Sequence, residues 1–72
     1  MLYFLECVCT DYIGTWQNRP SAEFFANDIE AKTWAKKELI RLRERFADIK
    51  FENVRLFEDM IDTPNRLICA LN

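Results

Sequence analysis

The sequence predicts an α+β domain with the order β-β-α-β-β, in which one helix packs on one face of a four-stranded, mainly antiparallel sheet. Two observations predict it. A stretch with a 3.6-residue apolar period begins after Asn27-Asp28. The segments around it alternate, carry many aromatic residues, and are separated by turn residues such as Gly14, Pro20 and Pro64. With 72 residues, the chain is expected to form a single domain, residues 1–72.

The segment LYFLECVCTDY predicts a first strand over residues 2–12. Alternation places Tyr3, Leu5, Cys7 and Cys9 on one side of it. The following IGTWQNRPS is dense in turn residues and predicts a reversal of the chain. AEFFA then predicts a short second strand over residues 22–26.

The helix is predicted over residues 28–46. Asn27 can cap it by accepting a free N–H of the first turn, and Glu30 fits a capping box. At 100° per residue, one apolar stripe faces the sheet. The stripe comprises Ala31, Ala35, Leu39, Leu42 and Phe46.

Two strands are predicted after the helix. FENVRLFEDM alternates over residues 51–60, and RLICALN forms the last strand, residues 66–72. Pro64 and Asn65 turn the chain between them.

The three cysteines, Cys7, Cys9 and Cys69, are an odd number, which argues against a closed disulfide framework and favours the cytoplasm. A thiolate trio could hold Cu(I) or zinc. Zinc prefers four ligands, however, and the chain has no histidine to complete a set. Buried free cysteine packs as a small hydrophobe, so core packing is the prediction and no metal is expected.

The composition disfavours most enzyme classes. Without histidine the commonest general base is missing, and one glycine cannot build a phosphate loop. No catalytic residue, cofactor or small-molecule substrate is therefore expected. A net charge of −2 and the absence of a long apolar run argue against nucleic acid and membrane partners. Charged side chains are interpreted as solvated: Glu58, Asp59 and Asp62 in the last turn, and Lys36, Lys37, Glu38, Arg41, Arg43, Glu44 and Arg45 on the helix.

The second face of the sheet is the candidate interaction face. Both sides of the first strand are mostly apolar, yet one helix can cover only one side. Alternation also places Ile68 and charged residues, Arg66 among them, on this uncovered face. Its principal candidates are Phe4, Val8, Tyr12, Phe25, Arg55 and Phe57.

The sequence therefore favours a non-enzymatic, acidic interaction module that self-associates as a homodimer through this face. The alternative is a small inhibitor or regulator, of the kind found in phage and bacteria, that blocks a site on another macromolecule. A thiolate metal carrier is a weaker third hypothesis.

Overall fold

The computed structural model describes residues 1–72 and confirms the α+β architecture. All neighbouring strands are antiparallel, in the sheet order β2-β1-β3-β4. The single helix packs on one face of the sheet. The elements are β1 (Leu2–Thr10), β2 (Thr15–Phe24), α1 (Asp28–Arg45), β3 (Lys50–Glu58) and β4 (Arg66–Ala70).

The start of β2 corrects the sequence prediction. The reversal is confined to residues 11–14, where the Asp11 carboxylate accepts hydrogen bonds from the backbone N–H groups of Ile13 and Gly14, at 2.8 and 3.1 Å. The chain is already in β2 at Thr15, so β1 ends at Thr10 and the predicted turn over residues 13–21 is wrong. Pro20 lies inside β2, which is tolerated because β2 is an edge strand with one unpaired side.

The predicted bounds of the helix, residues 28–46, agree with those of α1 to within one residue. The Asn27 side chain accepts from the Glu30 N–H at 3.0 Å, which satisfies a free donor of the first turn. The Glu30 carboxylate accepts from the Ala26 N–H at 3.4 Å, one residue before the position that a capping box uses. Phe46 is the C-cap, is 41% exposed and does not belong to the buried cluster, so its predicted place in the core is wrong.

Each pair of neighbouring strands contains one register irregularity, and the one between the central strands β1 and β3 is a bulge. Glu6 pairs with Arg55 and Val8 with Glu52, so two residues of β3, Asn53 and Val54, lie opposite one residue of β1. Asn53 has a φ of 50°, a left-handed conformation that asparagine tolerates better than most residues.

The core lies between the sheet and the helix. Alternate residues of β1 point into it, as predicted, and small alanines let the helix approach. Its buried members are Tyr3, Leu5, Cys7, Cys9, Ala31, Ala35, Leu39, Leu42, Phe51, Val54 and Leu56.

Candidate interaction face

The sheet face opposite the helix is organised in rows that cross the strands. The strand register aligns Ala22, Phe4, Phe57 and Leu67, one residue from each strand in sheet order. Directly opposed residues in antiparallel strands share a face, so these four form one apolar row.

Phe4 is the centre of this row and is covered by its neighbours. Its ring stacks on that of Phe57, with centroids 5.4 Å apart and planes inclined by 13°. The Arg19 guanidinium lies over the Phe4 ring, 4.4 Å from its centroid. Phe4 is consequently only 5% exposed, and the prediction that it faces solvent is wrong.

A charged row follows the apolar row towards the β1–β2 turn. Glu6 accepts from Arg19 Nε at 3.0 Å and from an Arg55 terminal nitrogen at 2.8 Å. The Arg55 guanidinium also lies 5.2 Å from the Phe57 ring centroid. Arg55 Nε is buried without a hydrogen-bond partner. The two arginines thus tie β2 and β3 to the central strand through one carboxylate.

Val8 and Tyr12, two further predicted members of the face, lie outside the apolar and charged rows. Val8 is partly exposed, opposite Gln17 and Glu52, so the face is polar around it. Tyr12 lies in the turn after β1 and is 94% exposed.

Phe25 lies on the helix side, against Tyr3 and Trp34 with ring centroids 6.2 and 5.3 Å away, so its assignment to the open face is wrong. Arg66 and Ile68 were assigned to the open face as well. Arg66 instead reaches the helix N-terminus, and Ile68 packs against the core.

Exposed large apolar residues of the open face lie at one of its ends, although others lie in the β1–β2 turn and on the helix. Phe24 pairs with Leu2, and both line a groove of about 660 Å³ together with Met60 and Ile61 of the β3–β4 loop. We call the apolar residues at this end, which include part of the apolar row, the apolar end. It comprises Leu2, Phe24, Phe57, Ile61 and Leu67. Phe24, Ile61 and Leu67 were not among the residues predicted for this face. The sequence does contain a signal for Phe24. Phe24 and Phe25 are adjacent, and consecutive strand residues point to opposite faces, so one of the two is expected on each side of the sheet.

A polar network on the helix side joins four elements, β1, α1, β3 and β4. The Tyr3 hydroxyl donates to Asp28 at 2.7 Å, and Arg66 donates to both Asp28 and Glu58, at 2.8 and 2.7 Å. Burial and the hydrogen bond to Asp28 raise the pKa of Tyr3 to about 12. The hydrogen bond from Arg66 lowers the pKa of Asp28. Glu58 is therefore a buried ion-pair member and not the solvated loop residue that was predicted.

Glu38 forms a second ion pair on the helix. It accepts from Arg41 at 2.7 and 2.8 Å and from the Ser21 hydroxyl of β2. Glu38 is buried, so its predicted place on a solvated helix face is wrong. The hydrogen bonds from Arg41 lower its pKa. Each carboxylate in these two networks therefore has a cationic partner.

The lowered pKa values predict that the protein loses stability in acid. Asp28 and Glu38 have ordinary pKa values of 3.8 and 4.5, and both are lower in the folded state. The unfolded chain therefore binds protons first as the pH falls, so the stabilisation is complete above about pH 5.5 and is lost progressively below it. Urea denaturation at pH 7, 4 and 3 should show a falling free energy of unfolding.

The Glu38→Gln variant should show a shallower fall than the wild type over the same range. Glu44→Gln, at an exposed position that forms no ion pair, is the matched control and should follow the wild type. An equal slope for Glu38→Gln and the wild type would contradict the assignment.

Two of the cysteines lie in the core. Cys7 and Cys9 are both buried, with Sγ atoms 3.7 Å apart, and Cys69 is half-buried on β4. Burial raises the pKa of Cys7 to about 12, so at neutral pH it is a protonated thiol and a poor metal ligand or nucleophile. No group of three or more Cys, Asp or Glu side chains in the chain is placed to hold a metal ion.

No family model matches the chain, and searches of curated proteins and of solved structures find no match. Helix α1 does not combine the length and the apolar character that a membrane crossing requires.

Proposed function

We propose that this protein is a non-enzymatic interaction module that self-associates through the open face of its sheet, with the apolar end as the centre of contact. The observation that carries the proposal is the exposure of large apolar side chains at that end: Phe24 is 69% exposed, Leu67 54% and Ile61 97%. Contiguous apolar surface of this kind on a small protein marks an interaction site.

The open face suits a second copy of the chain in size and in charge. The Cα atoms extend over 36 × 24 × 17 Å, so the broad face is comparable in area to the ~800 Å² that each partner contributes to a standard interface. Its Glu6 carboxylate is already paired with Arg19 and Arg55. A two-fold contact can therefore bury the apolar end without isolating that carboxylate.

The compartment that fits this proposal is the cytoplasm. All three cysteines are free, and a reducing environment keeps thiols in that state.

Charge substitution at the apolar end tests the proposal. Phe24→Glu and Leu67→Glu should each convert a wild-type dimer into a folded monomer, because each places a carboxylate in the contact while altering an exposed position. Light scattering coupled to size-exclusion chromatography at roughly 100 µM, a concentration suited to weak association, measures the mass. Circular dichroism checks the fold.

Lys37→Glu is the matched control, since Lys37 is exposed on the helix, on the opposite side of the sheet from the open face. It should leave the mass and the fold unchanged. A wild type that stays monomeric at this concentration would remove the self-association proposal.

One observation favours a second candidate, an inhibitor or regulator that binds another macromolecule. The groove beside Leu2 and Phe24 is concave, and a concavity accepts a protruding side chain better than it accepts a flat sheet. A monomeric wild type that captures a stoichiometric partner, with capture lost in Phe24→Glu, would support this candidate.

A further inference from the structure

The opposite edge of the sheet carries a second surface, formed by β4 and the helix. Strand β4 is the last in the sheet order, so the backbone groups on its outer side have no neighbouring strand. It runs in the same direction as α1. At the start of the two elements, Arg66 of β4 binds Asp28 of the helix. At their far ends, Asn72, just after β4, and Arg43 of the helix line the same depression.

A groove of about 460 Å³ lies between this strand and the helix. Its apolar floor contains Leu39 and Leu71, and its charged wall is Lys32, Lys36 and Arg43. None of these three cations belongs to an ion pair. No carboxylate lines the groove, which is therefore positive on a molecule of net charge −2.

We propose that this surface binds an extended acidic peptide segment, which adds as a fifth strand to the free edge of β4. Its main chain would hydrogen-bond to β4, and its carboxylates would face Lys32, Lys36 and Arg43. Addition of a strand to an exposed edge supplies affinity through the backbone and selectivity through alternate side chains.

The spacing of the cations matches an extended chain. Lys32 and Lys36 are about 6 Å apart along the helix axis, close to the roughly 6.6 Å between alternate residues of a strand. From Lys32 to Arg43 the helix rises about 16 Å, which is the length of roughly five strand residues. β4 itself comprises five residues, so an occupant of equal length can reach all three cations.

The same features favour a peptide over a single-stranded nucleic acid. A free strand edge offers N–H and C=O groups in the alternating pattern that another peptide backbone completes. The residues that line the groove include no aromatic side chain on which a base could stack.

A labelled synthetic peptide tests the proposal. The probe is an eight-residue peptide of alternating glutamate and valine with blocked ends, and fluorescence anisotropy reports its binding to the full chain. Saturable one-to-one binding is expected. Lys36→Glu should weaken it by about fivefold to tenfold, as expected when one exposed ion pair becomes a like-charge contact. Lys37→Glu changes the net charge equally but lies outside the groove, so it should weaken binding much less.

Backbone methylation separates strand addition from simple charge attraction. Two versions of the peptide carry N-methyl groups either on every glutamate or on every valine. Only one of these sets of amides can face β4, because the N–H groups of a strand point alternately to its two sides. One methylated peptide should therefore lose binding while the other keeps it.

Equal binding by both methylated peptides would overturn the proposal, as would equal weakening by Lys36→Glu and Lys37→Glu. Equally tight binding of a single-stranded oligonucleotide of the same charge would also overturn it. The Phe24→Glu variant should bind the peptide like the wild type, so failure here is distinguishable from failure of the proposed self-association.

Discussion

Leu39→Asp is expected to abolish cooperative folding. Leu39 is 5% exposed and belongs to the cluster that joins the helix to the sheet. The substitution removes a buried side chain and puts a carboxylate without a partner in its place, at a cost of several kcal/mol. A chain of this size has little margin, since small domains bury a smaller fraction of their surface and total stabilities are about 5–15 kcal/mol. Far-UV circular dichroism during heating measures the loss.

Ile40→Asp is the matched control for this experiment. Ile40 is the next residue of the same helix but is 57% exposed, so a carboxylate there stays in water. Its melting curve should stay close to that of the wild type. A cooperative, near-wild-type melt for Leu39→Asp would show that the helix does not present this stripe to the sheet.

The helix and its inner face were predictable because their signals are local. The Asn27 cap and the 3.6-residue period of Ala31, Ala35, Leu39 and Leu42 lie within one stretch of chain. These four residues belong to the buried cluster between helix and sheet, which confirms the helix face predicted from the period.

Strand β2 was not predictable in the same way. Its residues Asn18, Pro20 and Ser21 are turn-forming types, and its position at an edge of the sheet is what allows them in a strand. That position is fixed by pairing with β1, which the local sequence does not reveal.

The buried charges escaped prediction for a related reason. Glu38 has a partner one turn along the helix, but the contact that accompanies its burial is with Ser21, on a different element. Glu58 likewise depends on Arg66, which reaches it across the β3–β4 pair. A local sequence shows the charge but not the distant group that makes burial tolerable.

Phe4 and Phe24 present the sharpest contrast on the open face. Both are aromatic residues of strands that the sequence predicts, but the structure gives them opposite environments. Phe4 is enclosed by the Phe57 ring and the Arg19 guanidinium, whereas Phe24 is mostly exposed. The first therefore contributes to folding, while the second is available for contact with another molecule.

The expected result is that Phe4→Ala lowers the free energy of unfolding by about 3–5 kcal/mol, the range for loss of a buried phenylalanine. Phe24→Ala, at a 69% exposed position, should change it by less than about 1 kcal/mol. Urea denaturation at a concentration low enough to keep both variants monomeric measures the two values. Equal, small effects would mean that the stack and the guanidinium do not hold Phe4 in place. The open face would then have no packed centre of its own.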